Sequence, residues 1–293
     1  MALRTVLFLL TNLLVVLTIS LVLGALTAAG LLPPDLPLLS LLVACFGWGV
    51  LGAWISLQVS ARSAMAAMGV QQVNDDPSPG ARALVAMVAD LAAKAHLPMP
   101  AVGIYGSPEW NAFATGPSPD RALVAVSSGI LEGMAPAELE AVLAHELSHV
   151  GNGDMVTMAL LQGVINAFVM FLARAVALLL PGGSRDDQRQ AAPPTLLIWP
   201  LELLLGIGGS LITAWFSRHR EFRADAGAAG LTSREAMAAA LERLGQASGI
   251  RDPRDGSALA SFKIASPDGW IQLFASHPPL EQRIAALRQT ARP

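Results

Sequence analysis

Hydrophobic and polar positions alternate along this chain on the scale of whole helices. No charged residue occurs from Thr5 to Pro34, and the apolar part runs from Val6 to Leu32. That exceeds the roughly 20 residues a helix needs to cross a bilayer. After the turn Pro33-Pro34-Asp35, Leu36 to Ala61 is again free of charge and contains Trp48 and Trp54. The apolar core of a cleaved signal peptide is only about 7–15 residues long. The pattern therefore predicts two uncleaved spans, about 5–32 and 36–61, forming a hairpin over 1–62. Arg4 and Arg62 stand at its ends, which the positive-inside rule places in the cytoplasm, with the turn outside.

From residue 63 the pattern shortens to that of a soluble domain. Asn74 to Gly80 is a polar, turn-rich linker. Leu84, Val88 and Leu91 share a face, which predicts a helix from Ala81 to His96. Ala101–Tyr105, Asn111–Thr115 and Ala122–Val126 read as short strands separated by Gly- and Pro-rich turns. A helical turn from Ser128 and a helix through Leu139–Val150 follow, so 63–154 is expected to be the first part of an α+β domain with a small mixed sheet.

A second apolar pair occupies 155–217. Met155–Leu180 and Thr195–Ser217 are interrupted only by Arg174 and Glu202, with a polar loop between them. A charge inside a span is costly and usually has a partner. Arg174 precedes the loop by about as many residues as Glu202 follows it, so a hairpin with spans at 155–180 and 195–217 would set them at similar depth as an ion pair. Residues 218–293 return to soluble character, with a helix from Glu235 to Ala247, N-capped by Thr232 or Ser233, and a last helix from Leu280 to Arg292.

Composition agrees with membrane insertion: hydrophobic residues make up 53% and charged residues only 14% of the chain, against about 25% charged in soluble domains. A net charge of −3 without a basic block argues against nucleic acid as a partner. The single cysteine, Cys45, excludes an internal disulfide and a cysteine-rich metal site.

The chemistry centres on His145-Glu146-Leu147-Ser148-His149. On a helix, residues four apart share a face, so both imidazoles can reach one ion while Glu146 reaches a water beside it. Zinc suits such a site because it takes imidazole nitrogen and leaves a position open. A third donor is required. Glu221 is the preferred one, because it completes a His₂Glu set of thermolysin type. Asp225, one turn further on, would accept a hydrogen bond from a ligand histidine. Asp225 itself and His219 are the competing ligands. These groups can meet only on one side of a membrane, so 155–217 must cross an even number of times.

In order along the chain, Asn111-Ala112-Phe113-Ala114-Thr115-Gly116, HELSHVGNGD (His145–Asp154), SRHREFRAD (Ser217–Asp225) and Ser276-His277-Pro278-Pro279-Leu280 resemble the HtpX family of membrane-bound zinc metalloproteases, relatives of the CAAX prenyl endopeptidases. The resemblance covers essentially the whole chain. It implies a mainly helical gluzincin-like fold between two transmembrane hairpins, in a bacterial inner membrane. It also implies a cytoplasmic active site, one Zn²⁺ per chain, and a stress-related role in quality control of unfolded or membrane proteins. His145, His149 and Glu221 match the zinc ligands, Glu146 the catalytic base, and Asn111, Ala112, Phe113, Ala114 and Thr115 the substrate-facing edge strand. His277, His219 and Arg218 are the expected donors to the tetrahedral oxyanion. A chaperone that binds clients without cutting them is the rival reading, and the intact Glu146 argues against it.

Overall fold

The computed structural model describes residues 20–21, 24–31, 37–179, 194–247 and 277–289. The expected first span, 5–32, lies mostly outside them, as do the polar loop after Leu179 and the charged loop at 251–256. The helices are α1 (Leu38–Met68), α2 (Pro79–Lys94), α3 (Ser128–Gly133), α4 (Pro136–Asn152), α5 (Asp154–Leu179), α6 (Pro194–Leu231), α7 (Arg234–Ala247) and α8 (Leu280–Gln289). The strands are β1 (Gln71–Gln72), β2 (Ala101–Tyr105), β3 (Ala112–Thr115) and β4 (Leu123–Ser127). Three helices among the described residues, α1, α5 and α6, are long and apolar enough to cross a membrane.

The chain divides into two compact units. The first takes in the described residues up to Ile55 together with Ala159–Thr213. Here α1 and α5 approach closely through small residues. A Cβ on Gly49 would lie 2.5 Å from the Gly163 carbonyl oxygen and 2.8 Å from the Ala167 Cβ, and one on Gly163 would lie 2.7 Å from the Ala53 Cβ. Such close backbone approach is how helices associate in lipid, where apolar burial between helices has no solvent driving force. Leu38, Leu42, Cys45, Phe46, Ala167 and Phe171 fill the contact, with Phe46 edge-on to Phe168 at 5.1 Å.

The second unit comprises Ser56–Met158 and Ala214–Pro293. Its sheet is mixed, in the order β1-β2-β4-β3. β2 and β4 run parallel, with Val102 opposite Val124; β1 and β3 are antiparallel to their neighbours. β4 is central and buried on both faces. Val124 and Val126 enter the core shared with α2, α4, α7 and α8, while Leu123 and Ala125 pack with Tyr105, Phe113 and Ala64 of α1. This is the period-two alternation of a strand covered on both sides. β1 is the one strand the hydrophobic pattern missed. It is two exposed glutamines, with no apolar side chain to signal it.

Side-chain oxygens set several helix starts, as they satisfy amides that have no partner within the helix. Ser127 Oγ accepts from the Ile130 amide and Ser233 Oγ from the Ala236 amide. Of the two expected caps for α7, Ser233 is therefore the one in place; Thr232 donates to the Ala228 carbonyl instead. Two helices outrun their expected spans. α1 continues to Met68 beyond Ala61, and α6 continues from Ser217 to Leu231. Helices cross a polarity boundary freely because their backbone hydrogen bonds stay internal.

The glycine contact generates a paired prediction. Gly49→Leu should lower the melting temperature of the detergent-purified protein by several degrees, whereas Gly52→Leu, which meets nothing within 4 Å, should leave it within about one degree. Equal shifts for the two variants would show that the α1–α5 approach is not what stabilises this unit.

Candidate metal centre

α4 is the central helix of the second unit, and every residue from Leu139 to Val150 except Glu140 is buried. Pro136 occupies its first turn, where no amide is needed, and Glu138 accepts from the Ala135 amide at 3.0 Å. Gly153 ends it with φ 66°, a left-handed conformation that favours glycine. That turn starts α5 at once and returns Asp154 to the last turn of α4. His149 Nδ1 there donates to Asp154 Oδ2 at 2.8 Å.

α6 brings the remaining carboxylates. A Cβ on Gly227 would lie 2.5 Å from Ser148 Oγ, so the glycine lets α6 lie directly against α4. Glu221 and Asp225, one turn apart on α6, are both buried. Asp225 Oδ1 accepts from His145 Nδ1 at 2.9 Å. Each histidine thus spends its Nδ1 proton on an aspartate, which leaves Nε2 as the free lone pair.

These lone pairs converge. His145 Nε2 and His149 Nε2 are 3.2 Å apart, and the Glu221 oxygens lie 3.3 Å from His149 Nε2 and 3.5 Å from His145 Nε2. Two donors each about 2.0–2.1 Å from a tetrahedral zinc are separated by roughly 3.3 Å. Glu221 Oε1 is fully buried and has no hydrogen-bond partner. Donor type, spacing and this orphaned oxygen all fit a zinc ion, and His145, His149 and Glu221 form the one such group among the described residues.

Burial alone would lower the pKa of both imidazoles. For His149, the hydrogen bond to Asp154 and the close Glu221 and Glu146 carboxylates outweigh it and push the pKa up to about 9. For His145, Asp225 and Glu221 likewise outweigh burial and raise it.

The structure separates the other expected residues. His277 Nδ1 donates to Glu221 Oε2 at 2.6 Å, so it stands at the cluster. His219 is exposed and donates to the Trp215 carbonyl, its ring tilted at 45° to that indole ring. Arg218 is half-buried. Ala112–Thr115 form the edge strand β3, and Asn111 is anchored at its root by Tyr105 Oη, 2.9 Å from its Nδ2. In the first unit, Arg174 Nη1 lies 2.5 Å from Glu202 Oε1.

Two participants escaped sequence reasoning. Asp154 closes HELSHVGNGD, five residues after His149, and a search for carboxylate partners of the ligands would have found it. Arg283 of α8 is only 2% exposed and binds Asp225 through two hydrogen bonds, of 2.8 and 2.6 Å. No local pattern marks it, because it is one basic residue on a short amphipathic helix.

Comparison with known proteins gives a consistent picture. Residues 80–291 match the model of peptidase family M48. The chain is 47% identical over 292 residues to Protease HtpX of Aeromonas hydrophila subsp. hydrophila, covering 97% of this chain and 99% of that protein. It is 45% identical over 291 residues to Protease HtpX of Vibrio vulnificus, with coverage of 97% and 99%. Among solved structures, S. mikatae Ste24p superposes with a TM-score of 0.58 at 18% identity, covering 96% of this chain and 67% of that one. At that identity the likeness concerns the fold.

The raised imidazole pKa values set a pH dependence. In the metal-free chain the His149 imidazolium stabilises the fold fully below about 6.5, and that contribution is lost as the pH rises through about 9. A metal must displace these protons. Zinc affinity of the metal-free protein should therefore increase from pH 6.5 to 9, with proton release measurable by calorimetry in buffers of different ionisation enthalpy. Affinity that is flat over this range would mean that the imidazoles are already neutral.

Proposed function

This chain belongs to peptidase family M48 and is a membrane metalloprotease, and on that premise we propose a zinc endopeptidase with a cytoplasmic active site that removes misfolded or damaged proteins of the bacterial inner membrane. The observation that carries this reading is the convergence of three buried donors, within 4.8 Å of one another, beside a buried Glu146 on the same helix. His145, His149 and Glu221 would hold one zinc ion. Zinc bound there would acidify water towards a pKa of about 7 and polarise the scissile carbonyl.

The chain's own groups do the rest. Asp225 and Asp154 hold the two imidazoles by Nδ1 and fix Nε2 as the donor atom. The Glu146 carboxylate takes a proton from the attacking water and delivers it to the leaving amine. Its negative charge is felt at both His149 and Arg283, which supports its nearness to the cluster. Of the three candidate oxyanion donors, His277 is hydrogen-bonded to Glu221 at the cluster, so that role is assigned to it ahead of the exposed His219. A substrate adds as an extended strand alongside β3, the outer strand of the sheet among the described residues, recognised by main-chain hydrogen bonds. Such binding reads backbone more than side chains and suits varied, unfolded clients.

The same convergence supports a single side for all three donors. α4 and the polar end of α6 meet, so the apolar hairpin between them must leave and re-enter on one face of the bilayer. Arg218, Arg220 and Arg223 follow the second apolar run, as Arg4 and Arg62 flank the first pair, which supports a cytoplasmic domain and cytoplasmic termini. The domain limits 1–62, 63–154, 155–217 and 218–293 belong to this reading.

Glu146→Gln in the detergent-purified full chain should keep one zinc per chain and lose at least about 100-fold in cleavage of an unfolded model protein. Full turnover by that variant would overturn the mechanism, and zinc-loaded wild type that never cuts would favour a client-binding chaperone. For sidedness, with Cys45→Ser as background, Ser184→Cys should react with an impermeant maleimide in spheroplasts and Glu235→Cys only after lysis. The opposite labelling would place the site outside.

A further inference from the structure

The two ligand histidines are supported differently. Asp154, behind His149, is met by Arg223, whose side chain is 62% exposed and whose contact is long, at 3.3 Å. Asp225, behind His145, is gripped by Arg283, which comes from the last helix and is 2% exposed. The guanidinium uses Nε and one Nη on the two Asp225 oxygens, while its other Nη stands 3.7 Å from Glu221 Oε2. A planar fork of this kind fixes both the place and the rotation of a carboxylate, which a lysine cannot do. An exposed, long contact does little by comparison.

We propose that Arg283 is a positioning residue of the metal centre. It locks Asp225 and, through Asp225, holds His145 with Nε2 turned to the ion, so that α8 is part of the metal site although it supplies no ligand. The inference rests on the zinc reading of His145, His149 and Glu221. A loosened relay behind one ligand weakens metal retention more than it alters the loaded enzyme. Loss of such a partner typically costs about 10–100-fold in affinity.

The test uses the full chain in detergent, with zinc dissociation constants from chelator competition alongside kcat and KM on an unfolded protein. Arg283→Gln should weaken zinc binding about 10–100-fold, and Arg283→Lys should recover part of the loss. Saturating zinc should restore most of kcat in both, with KM unchanged. Asp225→Asn with Arg283→Gln should lose clearly less than the two single losses combined, since Arg283 acts mainly through Asp225, its own approaches to His145 and Glu221 being longer, at 3.4 and 3.7 Å. That double variant leaves no unpaired buried charge, so it and Arg283→Lys carry the test if Arg283→Gln does not fold. Unchanged zinc affinity in Arg283→Lys and additive losses in the double variant would overturn the inference. So would an activity loss that saturating zinc does not restore. Wild type that binds no zinc and does not cut would instead defeat the underlying metalloprotease reading.

Discussion

A carboxylate with no exposure to water sets the terms for the second unit of this protein. Glu221 is fully buried, and Asp225, Asp154 and Glu146 are buried as well. Removing an isolated ion from water costs several kcal/mol even after relaxation. The protein offsets this from several directions: two imidazoles on α4, a hydrogen bond from His277 before α8, and the Arg283 guanidinium within it. His145 and His149, whose pKa values are raised, supply positive charge as imidazolium in the metal-free chain. A divalent cation supplies it more compactly and releases their protons. Electrostatic balance and metal recognition are thus one property of the cluster.

Backbone devices make the convergence possible. Gly153 adopts a left-handed turn that starts α5 immediately, so Asp154 reaches His149 within five residues. Gly227 removes the side chain that would hold α6 away from Ser148. Two helices can then share a polar seam in the middle of an apolar core. The same device recurs in the first unit, where Gly49 and Gly163 bring α1 and α5 together. In one place close approach builds a donor set, and in the other it replaces the apolar driving force that lipid removes.

The small sheet has a separate task. β4 is buried on both faces and fixes β3 by antiparallel pairing, and β3 is the outer strand of the sheet among the described residues. An open edge is a liability in most folds because any extended chain can pair with it. For the proposed cleavage of unfolded chains such promiscuity would be useful, provided the strand is rigid. Tyr105 and Ser127 anchor Asn111 at its root, and Phe113 is buried in the core.

Much of this was legible in one dimension. The apolar runs, the helix of His145 and His149, and the three longer strands follow from periodicities of 3.6 and 2, which are local. The polar tail of α6 could be paired with that helix because Glu221, with Asp225 one turn on, completes a His₂Glu donor set. The pairing of Arg174 with Glu202 could be expected because two unmatched charges in facing apolar runs have few alternatives. β1 was not legible, since two exposed glutamines carry no apolar signal. Arg283 was not legible either, because its partner lies 58 positions earlier and nothing in α8 distinguishes it from a surface arginine. Sequence by itself determined which residues had to leave water and which could bind a metal, since both depend on side-chain type at short spacing. Only the tertiary structure decided which charges stand behind the ligands, since that depends on helices whose approach is governed by packing far along the chain.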